Sequence, residues 1–154
     1  MALRFLPAQP SDAAELTAIA NRSKQYWGYP EKWMKMWAEE LEIQPEFIEK
    51  ETLIKVMIKE KTIGFYALQP HASYEGTGLA HFWLLPKYIG KGYGRPMFLH
   101  VLETARAGGA ERLIVESDPY ASGFYEKMGG RKIGDLQSSI PGRTLPVYAF
   151  VMKK

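Results

Sequence analysis

A stretch of eight residues, Tyr88–Arg95, has the composition of an anion-binding loop. It reads YIGKGYGR, with glycine at every second position from Gly90 to Gly94 and the cations Lys91 and Arg95 among them. Glycines let the chain turn tightly, and they let successive backbone N–H groups point into one concavity. The stretch lies between a predicted strand and a predicted helix, whose N-terminus favours negative charge. The residues therefore predict a phosphate or pyrophosphate site.

Two common nucleotide motifs do not fit these glycines. The nucleotide P-loop needs Lys followed by Ser or Thr after its last glycine, and no such pair follows here. The dinucleotide fingerprint GxGxxG needs a third glycine where this chain has Arg95 or Met97. That fingerprint also belongs in the first turn of a βαβ unit, whereas a predicted hairpin precedes this loop. A glycine-rich turn that only packs tightly is the alternative to an anion site.

A second segment, Asp118–Gly130, reads DPYASGFYEKMGG and follows the loop by one predicted helix and one strand. Together with LLPKYIGKGYGRPMF it resembles two signatures of the GNAT superfamily, the acyl-CoA-dependent N-acyltransferases. The first is similar to the family's pyrophosphate loop, and the second to its Asn, Ala and aromatic-Tyr signature. The resemblance covers Leu79–Gly130, about a third of the chain. Two positions depart from the pattern: Ile89 replaces Gln or Arg, and Asp118 replaces Asn.

The resemblance implies acetyl-CoA as the acyl donor, with CoA as the product. In the family, the pantetheine arm runs between two splayed strands, here residues 82–85 and 113–117, and the loop amides hold the pyrophosphate. The backbone N–H of Leu84 or Leu85 would polarise the thioester carbonyl. The residues that the resemblance assigns to acetyl-CoA are Trp83, Leu84, Leu85, Ile89, Gly90, Lys91, Gly92, Tyr93, Gly94, Arg95, Asp118, Ser122, Phe124 and Tyr125.

Acetyl transfer to an amine needs a neutral amine, a polarised carbonyl and a proton for the departing thiolate. By resemblance Tyr125 is the proton donor, because it matches the tyrosine that lies beside the thioester sulfur in the family. A phenol with a pKa of about 10 stays protonated at neutral pH and can donate to a thiolate with a pKa of about 8.5. Packing of its ring is the alternative role for Tyr125.

The general base is not evident from the sequence. Many family members carry a carboxylate or a histidine on the strand before the loop, on the face toward the acceptor, where this chain has Gly78 and Ala80. His81 is adjacent, but strand alternation directs it to the opposite face, where packing is its alternative role. Glu116 ends the next strand and could act through water. An α-amine, with a pKa of about 8, needs less help from a base than a lysine does.

The acceptor is selected, in this family, by the first two helices, their connection and the closing hairpin. Those segments contain Lys24, Tyr26, Trp27 and Arg143, which we assign to the substrate, with core packing the alternative for the tryptophan. Cations beside aromatic rings favour a small, carboxylate-bearing amine. The predicted enzyme is an N-acetyltransferase that uses acetyl-CoA by direct attack of the amine. A non-catalytic acyl-CoA-binding or sensing module and a protein N-acetyltransferase are the alternatives.

The elements that must position these residues are strands and helices in mixed order. We predict one α/β domain of α+β type over residues 1–154, with a mixed, mostly antiparallel central sheet, helices on both faces and a splayed strand pair for CoA. The predicted strands are Ala2–Leu6, Thr52–Ile58, Thr62–Leu68, Leu79–Leu85, Arg112–Glu116, Lys132–Leu136 and Leu145–Met152. The first predicted helix begins at Ser11 and is broken over Asn21–Pro30. The other predicted helices begin at Glu31, near Pro45, near Pro96 and after Asp118.

The composition excludes several other classes. The net charge of the 154 residues is +3 and its charges are spread along the chain, so no nucleic-acid partner is predicted. No cysteine is present, which excludes disulfides, and His71, His81 and His100 lack metal-ligand spacing. No apolar run approaches the roughly 20 residues of a membrane helix. With no signal peptide evident, we expect a cytoplasmic protein without a membrane partner, and a homodimer stays open.

Overall fold

The computed structural model describes residues 2–152. Its strands are β1 (Arg4–Pro7), β2 (Thr52–Ile58), β3 (Lys61–Pro70), β4 (Thr77–Leu84), β5 (Arg112–Glu116), β6 (Arg131–Gln137) and β7 (Thr144–Val151). They form one sheet in the order β1-β2-β3-β4-β5-β7-β6. The β4–β5 pair is parallel, and the β1–β2, β2–β3, β5–β7 and β6–β7 pairs are antiparallel. The predicted mixed sheet is confirmed, while the predicted domain limits, residues 1 and 154, lie outside the described residues.

The helices also follow the predicted order. They are α1 (Ala13–Gln25), α2 (Glu31–Leu41), α3 (Pro45–Lys50), α4 (Gly94–Ala107) and α5 (Ser122–Lys127). Three short 3-10 turns precede α1, the glycine loop and α5, and each begins with proline: Pro10–Asp12, Pro86–Tyr88 and Pro119–Ala121. Proline suits a first helical position because its φ is already helical and its missing N–H would have no partner there.

The predicted break of the first helix at Asn21 is wrong, because α1 continues to Gln25. The Asn21 side chain donates to the Thr17 carbonyl oxygen at 2.9 Å, so it bonds back onto its own helix instead of ending it. Ser23 is buried, and Gly28, at φ 76°, lies just beyond the end of the helix. Lys24 therefore belongs to the last turn of α1 and not to a loop.

Contacts divide the described chain into two compact units. One runs to Leu68 and includes His81–Met97, and the other comprises Gln69–Ala80 and the residues from Phe98 onward. The first unit buries β3 almost throughout, with Leu16 of α1 fully covered. The second unit buries one side of its strands in a cluster of Ile114, Val147 and Ala149, against which Tyr74, Ile133 and Leu136 pack.

Gly64 lies directly against the backbone of β4. A Cβ atom at this position would overlap the carbonyl oxygen of Trp83 and would lie 3.3 Å from the Cα atom of Leu84. Both neighbours are backbone atoms, which cannot rotate away as a side-chain end can. On β2, the register shifts between Val56 and Met57, opposite this part of β3. The close approach therefore depends on glycine at position 64.

We expect Gly64→Ala to lower the free energy of unfolding by roughly 1–3 kcal/mol, the usual cost of forcing an extra methyl into a packed region. Denaturant titration followed by circular dichroism measures the change. Gly108→Ala is the matched control, because its Cβ would make only ordinary contacts of 3.5 and 3.6 Å with carbonyl oxygens of α4. Equal stability of the two variants would contradict the close approach at Gly64.

A search of residues 2–152 for membrane-spanning segments found no helix with both the length and the apolar character that crossing a bilayer requires.

Candidate active site

The loop between β4 and α4 has the backbone that its glycines predict. Gly90 has φ 78° and Gly92 has φ 87°, in the left-handed region that favours glycine. Both residues are exposed, and an added Cβ at either would find no atom within 4 Å. Packing therefore does not require these glycines, whereas the backbone conformation does. This observation weakens the alternative that the loop is glycine-rich only in order to pack tightly.

The loop also carries the charge that an anion site needs. Lys91 and Arg95 are exposed, and Arg95 lies in the first turn of α4, where the helix dipole is positive. The rings of Tyr88 and Tyr93 meet edge to face at a centroid distance of 5.9 Å and are both partly buried. Ile89, which precedes the first glycine, is also partly buried. The contact between these two rings therefore links the residues on either side of Gly90 and Gly92.

The end of β4 offers one backbone donor out of the two predicted. The N–H of Leu85 donates to the carbonyl oxygen of Ile63 at 2.7 Å. Successive N–H groups point in opposite directions along an extended chain, so the N–H of Leu84 is directed away from that bond. Of the two amides predicted to polarise a carbonyl, the geometry favours Leu84. Trp83, the residue before it, is partly buried.

β4 and β5 pair over a very short length. Their parallel register includes only Thr77 with Leu113 and Gly78 with Ile114 in the described structure, although β5 continues to Glu116. Pairing therefore ends two residues before the end of β5. The splayed pair of residues 82–85 and 113–117 stays a prediction.

Tyr125 is buried in α5, with its side chain among other aromatic rings. Its ring centroid lies 5.5 Å from that of Phe98 and 5.3 Å from that of Phe124. Burial raises the pKa of the Tyr125 hydroxyl above its ordinary value, and the negative charge of Asp118 raises it further. The hydroxyl therefore keeps its proton throughout the neutral range. Ring packing and proton donation are compatible in this arrangement.

Asp118 acts as the cap that the sequence predicts, and it has a second partner. One carboxylate oxygen accepts the N–H of Tyr120 at 3.0 Å, and the other lies 3.5 Å from the guanidinium of Arg143. Both charged side chains are largely buried, at 17% and 14% exposure. Ser122 begins α5, and its hydroxyl donates to the Pro119 carbonyl at 3.0 Å. Arg143 thus contacts the capping residue of the segment that carries Tyr125, a contact that the sequence did not predict.

His81 is packed among aromatic rings. Its ring centroid lies 5.8 Å from that of Phe65 and 6.1 Å from that of Phe47, and its Nδ1 atom accepts the indole N–H of Trp83 at 2.9 Å. Burial lowers the pKa of His81 to about 4, so the ring is neutral near pH 7. A neutral ring whose Nδ1 already accepts a hydrogen bond carries its proton on Nε2. This state favours the packing role of His81 over the role of general base.

Glu116 has a partner that sequence reasoning missed. Its Oε2 atom lies 2.6 Å from the Nε2 atom of His71, 45 residues earlier in the chain. The His71 side chain is 8% exposed, whereas that of Glu116 is 40% exposed. No spacing signal could have revealed this pair, because it joins a loop residue to the end of a distant strand. Among the described residues, no group of three His, Cys, Asp or Glu could hold a metal ion.

Lys24 lies against three aromatic rings. Its Nζ atom is 4.3 Å from the ring centroid of Trp37, 5.1 Å from that of Tyr29 and 5.9 Å from that of Trp83. We call these three rings and Lys24 the aromatic box. Cation–π contacts hold an ammonium in place without neutralising its charge. The box therefore fixes a positive charge beside the end of β4.

The other two residues predicted to select the acceptor are adjacent to α1. Tyr26 is exposed, at 49%, and Trp27 is partly buried, and their rings meet edge to face at 5.1 Å. Trp37, in contrast, is a core residue at 4% exposure. Its ring both packs in the core and contacts the Lys24 ammonium.

Comparisons with known proteins agree with one another. A family model described as "Acetyltransferase (GNAT) domain" matches residues 12–139 of this chain. Among solved structures, the PaiA N-acetyltransferase from Thermoplasma acidophilum in complex with coenzyme A has a TM-score of 0.78 at 20% identity, covering 98% of this chain and 99% of that chain. No curated protein matches the sequence significantly.

Two further solved structures show the same fold. The GCN5-related N-acetyltransferase from Rhodopseudomonas palustris has a TM-score of 0.75 at 23% identity, covering 97% of this chain and 94% of that chain. The ribosomal-protein-S18-alanine N-acetyltransferase from Escherichia coli has a TM-score of 0.71 at 17% identity, covering 99% of this chain and 96% of that chain. At these identities the likeness shows the fold, and the family model carries the assignment.

Proposed function

The chain belongs to the GNAT acetyltransferase family, and on that premise we propose that it acetylates the amine of a small, carboxylate-bearing acceptor. As a member of this family it is an acetyl-CoA-dependent N-acyltransferase. Family membership does not identify the acceptor, so the acceptor class is our proposal. It rests on one observation, the fixed ammonium of Lys24 beside the end of β4.

The glycine loop fits the pyrophosphate of acetyl-CoA. Gly90 and Gly92 supply an open, left-handed backbone, and Lys91 and Arg95 supply positive charge. Trp83, before the loop, would contribute backbone groups to the pantetheine arm. The other residues that we assign to acetyl-CoA are Leu84, Leu85, Ile89, Tyr93, Gly94, Asp118, Ser122, Phe124 and Tyr125.

The chemical step requires two proton transfers. The amine nitrogen forms a bond to the acetyl carbon, the carbon–sulfur bond breaks, and the thiolate takes the proton of the Tyr125 hydroxyl. The nitrogen loses its proton to a base, a role that we assign to Glu116, and Tyr125 regains its proton from solvent. The N–H of Leu84 would stabilise the negative charge that develops on the carbonyl oxygen.

The acceptor's carboxylate would bind the Lys24 ammonium. The cation is positioned by the ring faces of the aromatic box, and a carboxylate is the group that an ammonium binds by a charge-assisted hydrogen bond. Tyr26 and Trp27 follow Lys24 directly and would contact the rest of the acceptor. Arg143, which we also assigned to the substrate, would act on the acceptor only at the expense of its contact with Asp118.

We expect Lys24→Met to lower kcat/KM about tenfold for free amino acids, because a hydrogen bond to a charged group contributes roughly 1.5–3 kcal/mol. The same variant should affect the corresponding amino-acid amides little, since they lack the carboxylate. A thiol-release assay with acetyl-CoA and matched acid–amide pairs measures both. Lys32→Met, an exposed position on α2, is the control for loss of a charge. An equal loss for acids and amides would contradict carboxylate recognition.

The sequence left two other readings of the site. In a protein N-acetyltransferase the acceptor amine would be the terminus of a polypeptide, and in a non-catalytic module acetyl-CoA would bind without turnover. The buried, protonated Tyr125 favours turnover. The fixed charge of the aromatic box favours a small acid over the amino terminus of a polypeptide, because the carboxyl group of an amino-terminal residue is part of a peptide bond. No nucleic-acid or membrane partner is part of the proposal.

A further inference from the structure

His71 lies in the turn between β3 and β4, and its ring is fixed in one orientation. Its Nδ1 atom accepts two backbone N–H groups, those of Ser73 and Tyr74, each at 3.0 Å. A nitrogen that accepts hydrogen bonds carries no proton, so the proton of the neutral ring is on Nε2. The Nε2–H group then donates to Oε2 of Glu116 at 2.6 Å. The backbone thus sets the tautomer, and the tautomer makes Glu116 the acceptor.

The turn that carries His71 is anchored on several sides. The His71 N–H donates to the Gly76 carbonyl at 3.0 Å, which closes the turn, and the Arg112 guanidinium donates to the Glu75 carbonyl at 2.6 Å. The hydroxyl of Tyr74 occupies the place that a side chain at Gly134 would take. The turn that carries His71 therefore contacts β5 through Arg112 and β6 through Gly134.

Gly78 explains how the imidazole fits. A Cβ atom at position 78 would lie 3.2 Å from Cδ2 of His71 and 3.3 Å from the carbonyl oxygen of Gln69. These distances are tighter than ordinary contacts, so a Cβ atom at position 78 would require its neighbours to shift by a few tenths of an ångström. In this chain the His71 ring fills the space beside Gly78, and its Nε2 atom contacts Glu116.

We infer that His71 is a positioning residue that holds Glu116 as the carboxylate base for the acceptor amine. This inference rests on the proposed function. The Nε2–H bond fixes the position of one carboxylate oxygen. The carboxylate takes one proton from the amine nitrogen as the N–C bond forms, and it returns that proton to solvent, to which its side chain is 40% exposed. His71 itself keeps its proton and touches neither substrate.

The tautomer can be measured without any substrate. Nitrogen chemical shifts of the His71 ring in the labelled protein distinguish Nδ1–H from Nε2–H. The inference predicts the neutral Nε2–H form, with the same form in Glu116→Gln, whose amide oxygen still accepts the bond. An Nδ1–H ring would overturn the inference at once, because such a ring cannot donate to Glu116.

Kinetics of four variants test whether His71 acts through Glu116. We expect His71→Phe to lower kcat about tenfold, the scale of losing the partner that orients a functional group. His71→Gln, which keeps a donor at the Nε2 position, should recover most of this loss. In the Glu116→Gln background, His71→Phe should cost nothing more. Free amino acids and acetyl-CoA are the substrates, and the KM for acetyl-CoA should stay unchanged.

Different results would contradict the positioning role of His71 and the proposed acceptor class. A tenfold loss from His71→Phe that persists in the Glu116→Gln background would mean a merely structural role and would overturn the inference, while the acetyltransferase activity itself stands. If the wild-type protein acetylates none of the free amino acids or their amides, the proposed acceptor class fails and the base role of Glu116 fails with it. In that case the tautomer measurement still shows whether His71 donates a hydrogen bond to Glu116.

Discussion

Tyr125→Phe lowers kcat by roughly 10²- to 10⁴-fold and leaves acetyl-CoA binding intact, which is the scale expected for loss of a general acid. The substitution removes only the hydroxyl, so the ring keeps its contacts with Phe98 and Phe124. The buried phenol holds its proton until the carbon–sulfur bond breaks, because burial and Asp118 raise its pKa. Single-turnover thiol release measures kcat, and calorimetric titration measures acetyl-CoA affinity.

The raised pKa also fixes the pH behaviour of this step. A tyrosine with an ordinary pKa of about 10 would begin to lose its proton above pH 9. Because the pKa of Tyr125 is higher, the alkaline side of the wild-type profile should show no loss from this group up to pH 10. Tyr120→Phe is the matched control, since Tyr120 is 62% exposed and lies five residues away. Unchanged kcat in Tyr125→Phe would contradict its role as proton donor.

Replacing both left-handed glycines of the loop, Gly90→Val with Gly92→Val, weakens acetyl-CoA binding by about 10²-fold. The left-handed conformation costs a residue with a Cβ atom about 1–2 kcal/mol. The combined cost at two positions is roughly enough to force the loop out of this conformation. The backbone N–H groups would then no longer converge on a pyrophosphate. Calorimetric titration with acetyl-CoA, with NAD and ATP as comparison ligands, measures the loss.

Gly109→Val separates backbone strain from ligand binding. Gly109 has φ 89° and, like the loop glycines, has no atom within 4 Å of an added Cβ, but it lies just past the end of α4. It should lower the free energy of unfolding by an amount similar to one loop substitution and leave acetyl-CoA affinity unchanged. If the loop variant binds acetyl-CoA as tightly as Gly109→Val does, the glycine loop is not the pyrophosphate site.

The regular elements follow directly from local patterns in the sequence. The start of α2 and the bounds of β2 and β5 are as predicted. The cap at Asp118 is also confirmed. β3 is longer than predicted, by Lys61 at its start and by Gln69 and Pro70 at its end. Strand ends depend on the partner strand, which the local sequence does not describe.

The contacts between distant residues could not be predicted in the same way. His71 and Glu116 are 45 residues apart, and only the fold brings them together. The aromatic box likewise joins α1, α2 and β4. The ion pair of Arg143 with Asp118 joins the closing hairpin to a helix cap. Each of these side chains has many compatible partners in the sequence. The sequence therefore indicates which kinds of contact are available, but it does not tell which residues contact each other.

The most direct test of the account is product analysis by mass spectrometry after incubation of the wild-type protein with acetyl-CoA and matched pairs of free amino acids and their amides. The account predicts N-acetylated products, with the acids acetylated faster than their amides and one thiol released for each product formed. Tight binding of acetyl-CoA without any acetylated amine would contradict it, and the chain would then be an acyl-CoA-binding module with the fold of an acetyltransferase.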